Sequence, residues 1–527
     1  MAVPSPRPCR FVLLGVGVGL IACGSPRPDP GWTTEAGSNP TTSADASATM
    51  GDPTSVSGET SASSDGGDTD DLGSSTSSET GGTTSSTSAQ DPGTSSDDTQ
   101  PEPDPSLDEQ LAAVLSMLEE PAVPLEPPPP VEPALFALGE ALFFDPILSG
   151  NKDIACATCH HPQFGLSDGL ALALGTGAVG LGPERADGDH PPFIPRHSQS
   201  LFNIGDPSVV RLFWDGRVEA HANGDLTTPA GDSLLPGVSG ALAAQAMFPV
   251  VDRLEMRGQP GDVTILGEAN EIAALDDTDY AGIWAALTAR LADIDGYVTL
   301  FAAAYPEVAR EDLTFAHAAN AIAAYETEAF SFPNSPWDQY LRGDTEALTD
   351  AAKMGAIFYY TFAGCGRCHS GPLLTDHEFH NTGIVQLGPG KSPSVPYDLG
   401  RANVTGAAED RYGFRTPSLR NFVVAPPFMH NGSLTTVGSV TLHYRTPRLT
   451  AVNYDPSVLH PDLHDTVQLD AEHLDELLGG LAEELSFSNG GSTLPNVMRF
   501  VEHLHDPAVA SLPELRPTAV PSGLEVP

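Results

Sequence analysis

C-x-x-C-H occurs twice in this sequence, as Cys156-Ala157-Thr158-Cys159-His160 and as Cys365-Gly366-Arg367-Cys368-His369. The spacing is typical of c-type haem attachment, in which both thiols form thioethers with the porphyrin and the adjacent histidine binds the iron. A thioredoxin-like pair needs no adjacent histidine, and a zinc site does not explain why one pentapeptide pattern is repeated. The sequence therefore predicts two covalently bound c-type haems, with His160 and His369 as the proximal iron ligands.

The first residues of the chain indicate export. Two arginines precede an apolar run at residues 11–22, which is too short to span a membrane, and this pattern predicts a signal peptide over residues 1–23. The end of the run, Leu20-Ile21-Ala22-Cys23, resembles a bacterial lipobox, in which the cysteine is lipidated, and Gly24 favours the outer membrane. We expect a protein on the periplasmic side of the envelope that contacts the membrane through a lipid on Cys23 alone. The alternative is plain secretion, with Cys23 incidental.

Composition separates a linker from the folded part and excludes one class of partner. Residues 24–106 are mostly Ser, Thr, Gly, Asp and Pro, which predicts a disordered tether because so few apolar residues cannot offset the entropy of ordering. The whole chain has 24 Lys and Arg against 70 Asp and Glu, a net charge of −46. Because binding a phosphate backbone needs a basic face, this balance excludes nucleic acid as a partner.

Helical periodicity dominates the rest of the chain. Apolar residues recur at intervals of three and four over residues 134–144, 271–275, 280–291, 316–328, 351–362 and 471–485, whereas strand alternation is scarce. The sequence therefore predicts a mainly α protein of two cytochrome-c-like haem domains with long loops. We place the first domain at 107–345, the second at 346–512 and a loop-like tail at 513–527.

The motifs around the two haem sites resemble, in the same order, those of the bacterial di-haem cytochrome c peroxidases and their MauG-type relatives. The resemblance runs from about Leu135 to the end of the chain. It rests on PRH at 195–197, SLFN at 200–203, LFWDGR at 212–217, AQAMFP at 244–249, RYGFRTPSLRN at 411–421 and APPFMHNG at 425–432. It implies a peroxide-reactive first haem and a second haem that supplies or stores electrons.

The resemblance assigns roles to four residues between the haem motifs. Trp214 would lie between the haems and assist electron transfer, although alone it would be interpreted as a core tryptophan. The spacing of Gln245, Pro249 and Glu255 matches the family's pocket above the first haem. Cleaving peroxide requires a proton to move from the inner to the outer oxygen, which a carboxylate such as Glu255 can carry while the Gln245 amide orients the peroxide. Pro249 can cover the iron without binding it.

The sixth ligand of the second haem is expected fourteen residues after His430, where the peroxidases have Met and MauG has Tyr. That position is Tyr444 here. The alternatives are His443, Met429 or a tyrosine that only packs. The resemblance also implies one Ca²⁺ between the haem domains, bound by the Asn203 side chain and the backbone carbonyls of Ala425 and Pro427.

Two features depart from the family pattern. An inserted loop at 221–240 separates Trp214 from Gln245, which puts the route of the substrate in doubt. No histidine matches the one that blocks the first haem in resting peroxidases, since His190 and His197 lack the expected neighbours. We therefore expect a five-coordinate first haem that is open at rest, as in the MauG type.

These patterns favour an exported di-haem c-type peroxidase that reduces H₂O₂ with electrons from a small donor cytochrome or cupredoxin. One alternative is a MauG-like oxidase that uses high-valent haems to oxidise side chains of a partner protein. A non-catalytic electron-transfer cytochrome is a third reading, and the Gln245, Pro249 and Glu255 spacing argues against it.

Overall fold

The computed structural model describes residues 104–186, 193–391, 395–485 and 494–527. The predicted signal peptide, Cys23, almost all of the predicted tether and His190 lie outside these residues. None of the helices within the described part is both long enough and apolar enough to cross a membrane.

The described chain is mainly α-helical with little sheet. Its helices are α1 (Leu107–Leu115), α2 (Pro133–Phe144), α3 (Cys156–Cys159), α4 (Ala241–Ala246), α5 (Tyr280–Ala292), α6 (Asp295–Ala304), α7 (Phe315–Ala329), α8 (Pro336–Leu341), α9 (Asp350–Tyr360), α10 (Ala402–Thr405), α11 (Val437–Arg445), α12 (Pro447–Val452), α13 (Ala471–Gly479) and α14 (Leu494–Glu502). Short 3₁₀ turns and one π-helical turn at Arg253–Arg257 join them.

Five very short strands form two small antiparallel sheets. Strands β1 (Arg211–Leu212), β2 (Val218–Ala220) and β3 (Leu226–Thr227) follow one another in the first sheet, where Glu219 lies opposite both Arg211 and Thr227. Strands β4 (Phe379–His380) and β5 (Phe414–Arg415) form the second sheet, which lies beside the second haem motif.

Helix predictions from periodicity succeed where the pattern is long. The predictions at 134–144, 280–291 and 316–328 are confirmed by α2, α5 and α7, whereas the prediction at 471–485 stops at Gly479, where two glycines end α13. The prediction of a helix at 271–275 is wrong. Five residues are too few to nucleate a stable helix, and the Arg257 guanidinium takes the carbonyls of Ile272 and Leu275 instead.

The first hydrophobic core forms where α2 packs against α7. The two backbones approach so closely at Gly139 that an added Cβ would lie 2.0 Å from the Ala321 carbonyl oxygen. Beside this contact, the rings of Phe143, Tyr325 and Phe330 meet with centroids 5.3–5.4 Å apart. Buried aromatic pairs of this kind stabilise a core beyond the area they remove from water.

The second hydrophobic core forms between α9 and α14. Gly355 of α9 again has no room for a Cβ, which would meet the Asn496 carbonyl oxygen at 1.9 Å. The Trp337 ring packs edge-on to Phe500 with centroids 4.9 Å apart, and both side chains are almost completely buried. This core lies directly before the second haem motif, because α9 leads into Cys365.

The two ends of the described chain pack on opposite cores. Leu111 of α1 is buried in the second core, whereas Val509, Leu512, Val520 and Val526 are buried in the first. Ser522 fixes the terminal segment by donating a hydrogen bond of 2.6 Å to Asp145. The predicted boundaries put α1 in the first domain and residues 506–512 in the second. Relative to those boundaries, the chain ends are exchanged, because α1 packs on the second core and residues 509 and 512 pack on the first.

The inserted loop at 221–240 is an ordered surface element. It completes the β2–β3 hairpin and then packs Leu234, Leu235 and Val238 against the first core. Asn320 of α7 anchors its end by accepting from the Ser239 amide at 2.9 Å and donating to the Gly237 carbonyl at 2.9 Å. The loop therefore lies along α7.

Candidate haem sites

The first C-x-x-C-H motif presents its histidine in a form that suits a metal. The Nδ1 atom of His160 lies 3.2 Å from the Leu166 carbonyl oxygen, so this nitrogen carries the proton and Nε2 is left as the donor. Burial lowers the pKa of His160 to about 4, which keeps the ring neutral. The thiols of Cys156 and Cys159 are half-buried on the single turn of α3 and form no disulfide. These groups fit covalent attachment of a haem.

Glu255 lies on the π-helical turn beside this motif. The Asp252 carboxylate begins the turn by accepting from the amide of Glu255 at 3.2 Å, and the Thr176 amide donates to the Glu255 carbonyl at 2.9 Å. Burial, then the Asp252 charge, raises the pKa of Glu255, and the cation of Arg217, 4.0 Å away, opposes the rise. Glu255 also helps to raise the pKa of the Cys159 thiol, so the carboxylate and the first motif share one electrostatic environment.

The other two residues predicted above the first haem precede Glu255 on consecutive turns. Gln245 lies on the last turn of α4, and its carbonyl accepts from the Phe248 amide at 3.1 Å. Pro249 begins a 3₁₀ turn, Pro249–Val251, that folds against the π-helical turn carrying Glu255. Gln245, Pro249 and Glu255 therefore belong to one continuous folded segment.

Trp214 is buried between residues that precede the second C-x-x-C-H motif in the sequence and residues that follow it. Its indole Nε1 donates to the His197 carbonyl at 3.0 Å, and its own carbonyl accepts from the Arg415 amide at 2.8 Å. The ring also lines the cavity at the second haem motif. His197 itself is held by neighbours, with Nδ1 2.7 Å from the Leu170 carbonyl oxygen and Nε2 3.4 Å from Ser167 Oγ.

A cavity of about 430 Å³ opens at the second motif. Its wall includes Cys365, Cys368, His369, Tyr444, Met429 and Trp214. The Nδ1 atom of His369 lies 3.0 Å from the Leu374 carbonyl oxygen, which again leaves Nε2 as the free donor. The volume falls within the range of cofactor pockets, and two thiols with one imidazole are the groups that covalent haem needs. The residues present therefore fit a haem.

The three candidates for the sixth ligand of the second haem differ in their surroundings. Tyr444 projects from α11 into the cavity, and burial together with the thiols of Cys368 and Cys365 raises its pKa. Met429 lines the same cavity. Both nitrogens of His443 are already engaged, since Nδ1 lies 2.8 Å from Thr450 Oγ1 and Nε2 lies 2.7 Å from the Thr382 carbonyl oxygen. The geometry favours Tyr444 or Met429 over His443.

The predicted calcium ligands Asn203, Ala425 and Pro427 all line this cavity. The Asn203 Oδ1 atom accepts from the Phe332 amide at 2.7 Å, and its Nδ2 atom is buried without a protein partner. A calcium ion would have to use the second lone pair of Oδ1 together with backbone carbonyls. The residues therefore share one region, and their fit to a cation is partial.

A group of possible metal ligands accompanies the second motif. Donor atoms of Cys368, Asp376 and His380 lie within 4.8 Å of one another, and His380 Nε2 is 2.8 Å from Asp376 Oδ2. Because haem attachment uses the Cys368 sulfur, we assign this group to the haem pocket and not to a separate metal site.

Sequence reasoning gave no role to the charged residues beside Trp214. Arg196 is buried and forms ion pairs with Asp215 at 2.7 Å and Asp398 at 2.6 Å. Arg217 lies between Asp215 and Glu255. The only sequence signal for Arg196, Asp215 and Arg217 was their position inside the PRH and FWDGR motifs. Asp398, which pairs with Arg196, and Glu255, which pairs with Arg217, are distant in sequence.

Comparisons with known proteins identify the family of this chain. The family model for "Di-haem cytochrome c peroxidase" matches residues 133–346. The methylamine utilization protein MauG of Methylorubrum extorquens is 30% identical over 339 residues, which cover 64% of this chain and 76% of that protein. Cytochrome c551 peroxidase of Pseudomonas aeruginosa is 29% identical over 328 residues, covering 62% and 76%.

One solved structure also shows the same fold. The crystal structure of a MauG-like protein associated with microbial copper homeostasis superposes with a TM-score of 0.50 at 24% identity, covering 76% of this chain and 97% of that one. The sequence relatives and the family model show that the chain belongs to the family of di-haem cytochrome c peroxidases and MauG proteins, whose members carry two c-type haems.

Proposed function

We propose that this protein is an exported di-haem peroxidase that reduces H₂O₂ at the first haem with electrons delivered through the second. The observation that carries the proposal is Glu255, a largely buried carboxylate beside the first C-x-x-C-H motif, on one folded segment with Gln245 and Pro249. An electron carrier has no use for a proton-transfer group at this place.

Six residues would hold the two haems. Cys156, Cys159 and His160 would hold the first, and Cys365, Cys368 and His369 the second. When bound, each haem supplies an iron that exchanges electrons, and the first supplies the one that meets peroxide. The protein contributes the proton chemistry and the path between the two sites.

Glu255 is suited to accept the proton of the inner peroxide oxygen and return it to the outer one. A general acid–base group works best when its pKa lies near the working pH, and burial raises the pKa of Glu255 toward that range. The Gln245 amide can donate to one peroxide oxygen and so orient it. Pro249 has no side-chain donor atom, so it can border the peroxide without binding metal.

Trp214 provides the connection between the two sites in this proposal. It is fixed by hydrogen bonds at both its indole and its backbone, and its ring reaches the wall of the second cavity. Tyr444 is the sixth ligand that we assign to the second haem. A tyrosinate is a hard anionic donor that lowers the potential, whereas the thioether of Met429 would raise it. Tyr444 would therefore suit a second haem that holds oxidising equivalents.

A MauG-like oxidase that draws electrons from side chains of a partner protein is the second candidate. The observation that favours it is the tyrosine, not a methionine, at the position of α11 that faces the second cavity. His197 supports the same reading, because its nitrogens are engaged by Leu170 and Ser167 and so it does not block the first haem.

Steady-state turnover of H₂O₂ with reduced cytochrome c or cupredoxin separates the candidates. We expect fast donor oxidation that collapses in Glu255→Gln, with Glu268→Gln, an exposed carboxylate paired to Lys152, as the control. Near wild-type turnover in Glu255→Gln would remove this carboxylate from the mechanism. Near-zero turnover of both donors by wild-type protein that still reacts with H₂O₂ would support the oxidase.

We also propose that Cys23 carries the lipid that attaches the mature chain to the outer membrane. Its support is the lipobox-like sequence Leu20-Ile21-Ala22-Cys23. Cells fed a labelled fatty acid should label the wild type and leave Cys23→Ser unlabelled. Equal labelling of both would contradict the anchor.

A Ca²⁺ at Asn203, Ala425 and Pro427 is a further part of the proposal. It is supported by the common position of these residues on the wall of one cavity. Elemental analysis of the purified protein should find about one calcium per chain. We expect that ion to be lost in Asn203→Ala.

A further inference from the structure

Five side chains of alternating charge form a row from Glu255, at the first haem site, to Asp398, which follows the second C-x-x-C-H motif in the sequence. This ionic chain consists of Glu255, Arg217, Asp215, Arg196 and Asp398. Its successive N···O distances are 4.0, 3.2, 2.7 and 2.6 Å, and the side chains are 20%, 16%, 2%, 6% and 1% exposed in the same order. Ion pairs so far from water are weakly screened, so each charge depends on its neighbour.

The Arg217 guanidinium is held by the Phe213 ring and by the Asp215 carboxylate, and its remaining terminal nitrogen is directed at Glu255. Its guanidinium carbon lies 3.4 Å from the centroid of the Phe213 ring, and Nη1 lies 3.2 Å from both oxygens of Asp215. The other terminal nitrogen, Nη2, points to Glu255. The cation is thereby held in one place without help from Glu255.

The loop that carries Arg217 is itself rigid. Gly216 has a φ of +64°, and an added Cβ would meet the Phe379 ring at 2.3 Å. Arg401 donates to the carbonyls of Asp215 and Gly216 at 3.0 and 2.8 Å. Residues from the second part of the chain therefore fix where the Arg217 charge lies.

We propose that Arg217 is the positioning residue for Glu255, holding its carboxylate as an anion until peroxide delivers a proton. The inference rests on the proposed function, because it assigns Glu255 the proton transfer. The length of the contact supports it. A carboxylate bound through two short hydrogen bonds has its lone pairs occupied, whereas Asp215 takes the short contacts here and Glu255 keeps its oxygens available at 4.0 Å.

Other charges face Glu255 from the surrounding elements. Asp252, which caps the same turn, raises the pKa of Glu255, as does burial, and Lys391 and Arg196 join Arg217 in lowering it. The Cys159 thiol faces it from the first motif. Arg217 is the one among these cations whose ion pair with Glu255 falls within 4.0 Å in the described part of the chain.

The rate of cyanide binding to the ferric holoenzyme, measured against pH by the Soret change, tests this role. Hydrogen cyanide must lose a proton on binding, so an ionised Glu255 should speed the reaction and its protonation should produce an acid limb. Without the cation, Glu255 is protonated at higher pH. We expect Arg217→Gln to move the acid limb upward by about one to two pH units and Arg217→Lys, which keeps the charge, to stay near the wild type.

Two further variants separate positioning from general damage. Glu255→Gln should lack the acid limb, and the double variant Arg217→Gln with Glu255→Gln should behave like Glu255→Gln alone, because Arg217 acts through that carboxylate. Arg211→Gln is the matched control, since Arg211 lies on β1, just before the loop that carries Arg217, and pairs with Glu219 and Glu378. It should leave the profile unchanged.

The outcomes distinguish this inference from the proposed function. An unchanged acid limb in Arg217→Gln, or an equal shift in Arg217→Lys, would overturn the role of Arg217 while leaving the peroxidase intact. Wild-type protein that binds no cyanide would overturn the open first haem, and the inference with it. If Arg217→Gln takes up no haem, Arg217→Met, which keeps the packing on the Phe213 ring and removes the charge, takes its place and should show the same upward shift; an unchanged limb in Arg217→Met would overturn the role.

Discussion

The surroundings of the two C-x-x-C-H motifs shift the pKa values of nearby carboxyl groups in opposite directions. Near the first motif, burial raises the pKa of Asp168 to about 7 and that of Glu326 to about 8, and it also raises the pKa of Glu255. Near the second, burial acts to raise the pKa of Asp376, but hydrogen bonds from His380 at 2.8 Å, Thr416 and the Glu378 amide together lower it. The wall of the second cavity includes aromatic groups such as Tyr359, Phe414 and Tyr444, together with arginines and histidines.

This difference indicates a division of work. Carboxyls with raised pKa values can take up and release protons near neutral pH, which peroxide chemistry needs. In the proposed function, the second pocket, whose Asp376 carboxylate is already paired with His380, would store or pass electrons and not transfer protons to peroxide. Substitutions at the motif thiols, Trp214, Tyr444 and Glu326 test this difference.

Removing the thiols of one motif should abolish one haem and leave the other. Cys156→Ser with Cys159→Ser should lose all reaction with H₂O₂, whereas Cys365→Ser with Cys368→Ser should keep cyanide binding and lose turnover with the donor. Intact-protein mass and the cyanide difference spectrum measure both. A protein that reacts with H₂O₂ after loss of the first pair would reverse the assignment of the two sites.

Replacing Trp214 should slow electron passage without changing proton chemistry. We expect Trp214→Phe to reduce the rate at which the second haem is oxidised after peroxide is added by about tenfold, equivalent to about 1.4 kcal/mol in the barrier. Stopped-flow absorbance measures this rate, and cyanide binding should be unaffected. Trp284→Phe is the control, because that indole is buried in the first core and donates to the Met247 carbonyl at 2.9 Å. Equal rates in the two variants would remove Trp214 from the path.

Replacing Tyr444, the sixth ligand that we propose for the second haem, should alter the second haem alone. Tyr444→Phe should remove one ligand and give a high-spin signal, and Tyr444→Met should raise the potential by replacing an anionic donor with a thioether. Electron paramagnetic resonance and redox titration report both changes. Tyr397→Phe, whose hydroxyl hydrogen-bonds Asp470, serves as the control. Unchanged spectra in Tyr444→Phe would leave Met429 as the ligand.

Glu326 offers the mildest test, through the pH dependence of stability. Its pKa is about 8 in the fold against an ordinary value of 4.5, so the folded state binds more protons across that interval. The free energy of unfolding should therefore fall as pH rises from about 4.5 to about 8, by up to about 1.4 kcal/mol per unit. Glu326→Gln should flatten this decline in thermal unfolding, and the exposed control Glu307→Gln should not. Parallel curves for Glu326→Gln and wild type would refute the protonated carboxyl.

Local patterns in the sequence were sufficient for the haem thiols and the long helices. The C-x-x-C-H spacing is complete within five residues, and α2, α5 and α7 each repeat their apolar pattern over several turns. The π-helical turn at Arg253–Arg257 carries no such repeat, because it depends on one side chain, Asp252, that caps two amides.

Ion pairs between residues far apart in the sequence could not be predicted from these local patterns. Asp398 pairs with Arg196 from 202 residues away, and no local pattern states that two such groups will meet in the interior. The family resemblance assigned roles to Gln245, Trp214 and Glu255, which stay predictions, and gave none to Arg217, because the role we propose for it depends on the charges that the fold brings around it. The exchange of the chain ends between the cores is hidden for the same reason.

In the exported protein that we propose, this placement of the chain ends bears on how the protein matures. A chain delivered across a membrane from its N-terminus presents Cys156 early, yet the core behind this motif stays open until Val509, Leu512, Val520 and Val526 have arrived. We therefore expect haem to be attached at the first motif while its pocket is still incomplete. Closure of that pocket, with Ser522 hydrogen-bonded to Asp145, should be among the last events of assembly.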